Sequence, residues 1–155
     1  MKGEKVSVLF ICVHNSARSQ IAEEYLRQMA GDLFEVESAG LNPGELNPYV
    51  VELLAEEDID ISGKQTNSVM DLYRSGKTYA YVITVCSREA EENCPIFPGP
   101  VRRLSWPFPD PAKFEGSREE ILEKTRQVRD VIREEVRQFV DAYRTNHQEG
   151  ANEPV

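Results

Sequence analysis

Cys12 and Arg18 stand six positions apart in the run Cys12-Val13-His14-Asn15-Ser16-Ala17-Arg18-Ser19. That spacing joins a soft nucleophile to a cation that stays charged at any physiological pH. A guanidinium can grip two oxygens of a tetrahedral anion in a bidentate fork. If the run is a loop between a strand and a helix, its backbone N–H groups turn inward and the helix N-terminus adds positive potential. The same field favours a thiolate at Cys12, and Ser19 can donate a hydroxyl hydrogen bond to the sulfur. Asn15 tolerates the left-handed backbone that a tight loop needs. Val13, His14, Ser16 and Ala17 would then contribute amides and curvature. His14 has no neighbour that makes a Cys–His dyad, and is read as shaping the loop or facing solvent.

Two further groups extend the chemistry. Asp110 precedes Pro111 in SWPFPDPAKF. An aspartate reaching over the pocket would protonate a leaving oxygen as general acid; the competing reading is a surface turn opened by an Asp-Pro pair. Cys86 and Cys94 bracket SREAEEN and complete a set of three cysteines. In a reducing compartment such thiols are catalytic, metal-bound or simply buried. Zinc needs a fourth ligand, and the two histidines, His14 and His147, are not at a ligand spacing.

The elements that must hold these residues are visible in the apolar pattern. VSVLFICV, Val6 to Val13, reads as a parallel strand covered on both faces. Ala17 to Met29 has helical periodicity. Phe34 to Ser38 is a short strand, and Asn47-Pro48 caps a helix running to about Glu57. Ser68 to Arg74 reads as a short helix. YAYVITV, Tyr79 to Val85, is a second strong strand that ends at Cys86, and Val101 to Trp106 is a fourth. Ser117 and Glu120 form a capping box for a long helix. Its apolar face includes Ile121, Val128, Val131, Ile132, Val136, Phe139, Val140 and Tyr143. Arg126, Arg129 and Arg133 are expected on its exposed face. Strands alternating with helices predict an open parallel sheet that binds ligands beyond the carboxyl ends of its strands. That rim would carry both Cys12 and Cys86.

At 155 residues the chain fits one domain, placed at 1–145, with a disordered polar tail at 146–155. Eighteen basic against 27 acidic residues give a net charge of -9, which argues against general nucleic-acid binding. An anionic substrate is still compatible if one pocket is locally positive. No apolar run approaches the roughly 20 residues of a membrane span. The first residues lack a signal-peptide pattern, so a cytoplasmic location is expected.

CVHNSARS preceded by VLFI resembles the Cys-x5-Arg-Ser loop of the low-molecular-weight tyrosine phosphatase fold. It is more closely similar to the thioredoxin-coupled arsenate reductases built on that fold, and the likeness continues to about Tyr143. The resemblance implies an α/β fold: a three-layer open sheet of four parallel strands with helices on both faces. It implies arsenate as substrate, with phosphate and sulfate as competing oxyanions, in a monomeric enzyme. Cys12 would be the nucleophile, Arg18 the anion clamp and Asp110 the acid. Phosphatases of this fold follow the Asp-Pro pair with tyrosines; here Ala112 and Lys113 stand instead, as suits a small inorganic substrate. Cys86 would displace arsenite from Cys12, and Cys94 would take over the disulfide, the two thiols flanking a mobile helix. Thioredoxin would reduce the product disulfide, with glutaredoxin and glutathione as the alternative. No tightly bound cofactor is implied. Relatives that bind potassium beside the loop use positions resembling Asn15, Glu23, Ser38 and Asn67, the last replacing an acidic ligand. Two rivals remain. A low-molecular-weight protein tyrosine phosphatase, hydrolysing phosphate monoesters, would need neither Cys86 nor Cys94. A non-catalytic oxyanion sensor would bind without turnover.

Overall fold

The computed structural model describes residues 5–86 and 94–152. Strand β1 (Val6–Cys12) is followed by α1 (Arg18–Ala30), β2 (Phe34–Gly40), α2 (Pro48–Ala55) and α3 (Val69–Arg74). Strands β3 (Tyr81–Thr84) and β4 (Arg102–Ser105), a 3-10 turn at Pro111–Lys113 and helix α4 (Arg118–Asn152) complete the order. The four strands are parallel, in the spatial order β2-β1-β3-β4. The chain leaves β1 on one side to form β2 and returns on the other to form β3. The carboxyl end of β1 is therefore the switch point where an open parallel sheet leaves a crevice. Cys12 is its last residue.

Alternation along β1 decides what each face packs against. Val8, Phe10 and Cys12 share a buried cluster with Ile21, Ala22 and Tyr25 of α1 and Val128, Ile132, Val136 and Val140 of α4. Leu9 and Ile11 share the other cluster with Val69, Tyr79, Val82, Phe97 and Cys94. Helices thus cover both faces, α1, α2 and α4 on one and α3 on the other. Each fully buried Leu, Ile or Phe contributes roughly 1.5–3 kcal/mol, so β1 is pinned from two sides.

The expected caps form. Asn47 Oδ1 accepts from the Tyr49 N–H at 2.9 Å, ahead of Pro48 in the first helical position. Ser117 and Glu120 make the reciprocal capping box, at 3.1 and 3.2 Å. Three details differ from the sequence reading. Helix α4 continues past Asn146 to Asn152, because no proline interrupts it before Pro154. Val131 is 55% exposed, beside an apolar hollow lined by Pro109, Phe114 and Val128. Arg129 is buried instead of exposed. Helix α2 crosses over it, and its guanidinium donates to the Leu53 carbonyl at 3.0 Å and pairs with Glu56 and Asp130. Among the described residues no helix is long and apolar enough to cross a membrane.

Candidate active site

The segment from Cys12 to Ser19 bridges β1 and α1 as a tight loop. Asn15 takes the left-handed conformation there, with φ 56°. The loop's outer side is satisfied by the chain that follows β2. Amides of Leu41, Asn42, Gly44 and Asn47 donate to the carbonyls of Cys12, Val13, His14 and Ser16, at 3.1, 2.7, 3.0 and 2.9 Å. With its carbonyls held outward, the loop turns N–H groups toward the centre. One of them, on Asn15, already points at Cys12 Sγ, 3.2 Å away. Helix α1 begins at Arg18, and Ala17 in the N-cap position offers no side-chain cap. Its first amides are thus left to the anion that the loop would hold.

A directed chain of hydrogen bonds reaches the sulfur from behind. A carboxylate only accepts, so the Ser38 hydroxyl gives its hydrogen to Glu23. Ser38 Oγ then accepts from Asn15 Nδ2 at 2.9 Å, and the second hydrogen of that amide goes to Ser19 Oγ at 2.7 Å. The hydrogen of Ser19 is left for Cys12 Sγ, at 2.8 Å. The Asn67 backbone N–H fixes the orientation of the Asn15 amide by donating to its Oδ1 at 2.9 Å. Sulfur is therefore placed as the acceptor, the role a thiolate fills best.

Arg18, only 6% exposed, lies at the mouth of the loop. Its guanidinium donates to the Phe108 carbonyl at 3.2 Å and lies 3.5 Å from Asp110 Oδ2. A buried guanidinium is costly unless such partners meet it. Asp110 also opens a turn, as Oδ1 accepts from the Ala112 N–H at 3.0 Å. Both sequence readings of the Asp-Pro pair thus describe one side chain, which the turn holds against Arg18. His14 is exposed and bonds the Asn42 carbonyl through Nδ1 at 2.8 Å, outside the pocket.

Cys12, Cys86 and Cys94 are all buried. Cys86 belongs to the same core cluster as Cys12, and its Sγ approaches the Ile11 carbonyl at 3.8 Å. Burial foremost, and then the charge of Cys12, push the Cys86 thiol up to about 11. Cys94 sits in the cluster on the opposite face of the sheet, with Leu9 and Ile11. The helix expected between Cys86 and Cys94 falls on residues 87–93 and lies outside the described residues. Among the described residues no group of three or more His, Cys, Asp or Glu could hold a metal ion.

Three residues of the site were missed in the sequence. Gln20 braces the loop by donating to the Asn15 carbonyl at 2.9 Å, a contact the sequence signals only by its place beside Ser19. Lys64 reaches Glu23 from a distant segment, at 2.8 Å. Gly40, which ends β2, is needed because the loop passes directly over it. A Cβ there would lie 2.7–2.8 Å from His14 C, Asn15 N and Val13 O, all of them backbone atoms. Gly40→Ala is expected to destabilise the protein by about 1–3 kcal/mol. It should also weaken inorganic phosphate binding by about tenfold or more, because the loop must move. Thermal unfolding and phosphate titration check both effects, and an alanine variant matching wild type in both would show that the loop is not pressed against Gly40.

The sequence matches the family described as low molecular weight phosphotyrosine protein phosphatase over residues 7–149. The arsenate reductase of Bacillus licheniformis is 39% identical over 140 residues, covering 88% of this chain and 96% of that protein. The structure of the thioredoxin-dependent arsenate reductase of Corynebacterium glutamicum has a TM-score of 0.67 at 32% identity, over 94% of this chain and 65% of that one. That of an arsenate reductase in an oxidised state has a TM-score of 0.72 at 28% identity, over 92% and 98%. With its cysteine–arginine loop at the switch point of a four-stranded parallel sheet, the chain belongs to the low molecular weight phosphotyrosine protein phosphatase family.

Proposed function

We propose that this protein reduces arsenate to arsenite through Cys12 and a relay of three thiols. The observation that carries the reading is a second buried thiol, Cys86, packed in the same cluster as the nucleophile at the carboxyl end of β1. Phosphate ester hydrolysis has no use for it. The similar arsenate reductases support the same substrate class.

In the first step the Cys12 thiolate attacks arsenic, while Arg18 and the loop amides hold the oxygens. The bond from arsenic to its hydroxyl oxygen breaks, and Asp110 gives its proton to that departing hydroxyl, which leaves as water. Arsenic remains pentavalent in the Cys12–arsenic adduct. Cys86 then attacks the Cys12 sulfur. The S–As electron pair goes to arsenic, arsenite leaves, and a Cys12–Cys86 disulfide forms. Cys94 attacks Cys86 next, which frees Cys12 and moves the disulfide outward. Because Cys94 packs on the other face of the sheet, this last exchange requires the chain after β3 to rearrange. An external dithiol such as thioredoxin, as in the Corynebacterium relative, closes the cycle. The protein would work as a cytoplasmic monomer.

Asp110→Asn is expected to slow adduct formation about 100-fold while leaving later thiol exchange unchanged. Rapid-quench single turnover checks this, and equal rates for both proteins would remove Asp110 from the first step. The reading as a whole is tested by NADPH consumption with thioredoxin and thioredoxin reductase, with and without arsenate. Arsenate-dependent turnover supports it. Hydrolysis of an aryl phosphate without any arsenate-dependent turnover would make the protein a phosphatase.

A further inference from the structure

The four positions where the resemblance implies potassium do not fit that ion. Asn15 Oδ1 already accepts from the Asn67 backbone N–H at 2.9 Å and from Gln20 Nε2 at 3.2 Å. Ser38 Oγ accepts from Asn15 and donates to Glu23. The Asn67 side-chain amide donates to the Ser38 carbonyl at 3.0 Å and carries no charge. Glu23 is committed on both oxygens. Lys64 Nζ lies 2.8 Å from Oε1, and the guanidinium of Arg27 meets Oε2.

Charge balance points the same way. Lys64 Nζ also lies 2.8 Å from Glu24 Oε2, so Lys64 and Arg27 answer Glu23 and Glu24 one for one. A further cation would enter a patch that is already neutral, beside an ammonium and a guanidinium. Lys64 arrives by a route the fold dictates. Its amide closes a turn on the Ile61 carbonyl at 2.9 Å, and the chain then runs to Asn67, whose carbonyl accepts from the Gly40 N–H at 2.8 Å.

We propose that the Lys64 ammonium is the built-in cation of the nucleophile loop, standing where similar enzymes would bind potassium, so that Cys12 reactivity is independent of that ion. Lys64 is thus a positioning residue that acts through Glu23, Ser38, Asn15 and Ser19. The Glu23 side chain is only 6% exposed. Burial alone would push this carboxyl up, but Lys64 first, with Ser38 and Arg27, holds it below the usual value. Without the ammonium the buried carboxylate loses its 2.8 Å partner on Oε1 and turns toward water. Ser38 then loses the acceptor for its hydrogen, Asn15 loses its anchor, and Ser19 is no longer aimed at the sulfur.

The inference rests on Cys12 being the nucleophile, and its test uses no arsenate, so it can fail separately from the proposed reaction. The measurement is the rate of Cys12 alkylation by iodoacetamide in full-length protein carrying Cys86→Ser and Cys94→Ser. Rates are compared in potassium and sodium chloride at equal ionic strength. With Lys64 present the two salts should give the same rate within about twofold, and Lys64→Met should slow alkylation in sodium about tenfold. A rate severalfold higher in potassium with Lys64 present would overturn the proposal, whatever the folding of the variant. So would a folded Lys64→Met protein that reacts as fast as its parent in sodium.

Discussion

Cys12→Ser is expected to abolish arsenate-dependent turnover, a loss of about 10⁴-fold or more, since the proposed reaction has no other group to form the first adduct. Cys86→Ser and Cys94→Ser abolish steady turnover as well, but each stops at a different point. The Cys86 variant binds arsenate and releases no arsenite, because arsenic receives no electrons. The Cys94 variant releases one equivalent and stalls with Cys12 and Cys86 joined. Quenched arsenite assays on the three variants check the order, and arsenite release by Cys86→Ser would break it. The stalled variant also reports pH. In the proposed step Cys86 attacks as a thiolate, and burial foremost pushes that thiol up, to about 11 in the reduced protein. Its burst should therefore accelerate about tenfold per unit as pH rises from roughly 7 to 10, the sign expected for a deprotonated nucleophile.

Arg18→Lys should lower kcat/KM for arsenate by about 10²–10³-fold and weaken phosphate inhibition with it. The charge is kept in this variant, so the loss isolates the fork. A lysine offers one point of attachment where the guanidinium offers two parallel N–H groups. It also gives up the arginine's contacts, the Phe108 carbonyl at 3.2 Å and Asp110 at 3.5 Å, leaving the acid's loop less firmly placed. Steady-state kinetics with and without phosphate measure both effects. A lysine variant within threefold of wild type would mean that the loop amides hold the oxyanion by themselves.

The sheet was legible because buried parallel strands announce themselves: VSVLFIC has no room for a solvent face. Helix starts were legible because Asn47-Pro48 and Ser117 with Glu120 are local chemistry, decided within a few residues. The loop from Cys12 to Ser19 was legible for the same reason. What periodicity could not convey is which element crosses which. Arg129 occupies a polar-looking position on its helix, yet α2 covers it and turns its charge into a buried contact with Leu53 and Glu56. Gly40 carries no local signal at all, since its need for a bare backbone arises only when the loop is laid over it. Lys64 reads as one more surface lysine until the turn at Ile61 swings it onto Glu23. Cys86 and Cys94 were found as residues. Their separation to opposite faces of the sheet depends on packing that spacing alone does not encode.

The most direct test of the three-thiol account is one turnover by the fully reduced protein, mixed with excess arsenate and no external reductant. The account predicts one arsenite per chain, a Cys86–Cys94 disulfide and a free Cys12 thiol, read by alkylation and peptide mass mapping. No arsenite with all three thiols intact, or arsenite with Cys12 left in the final disulfide, would contradict it.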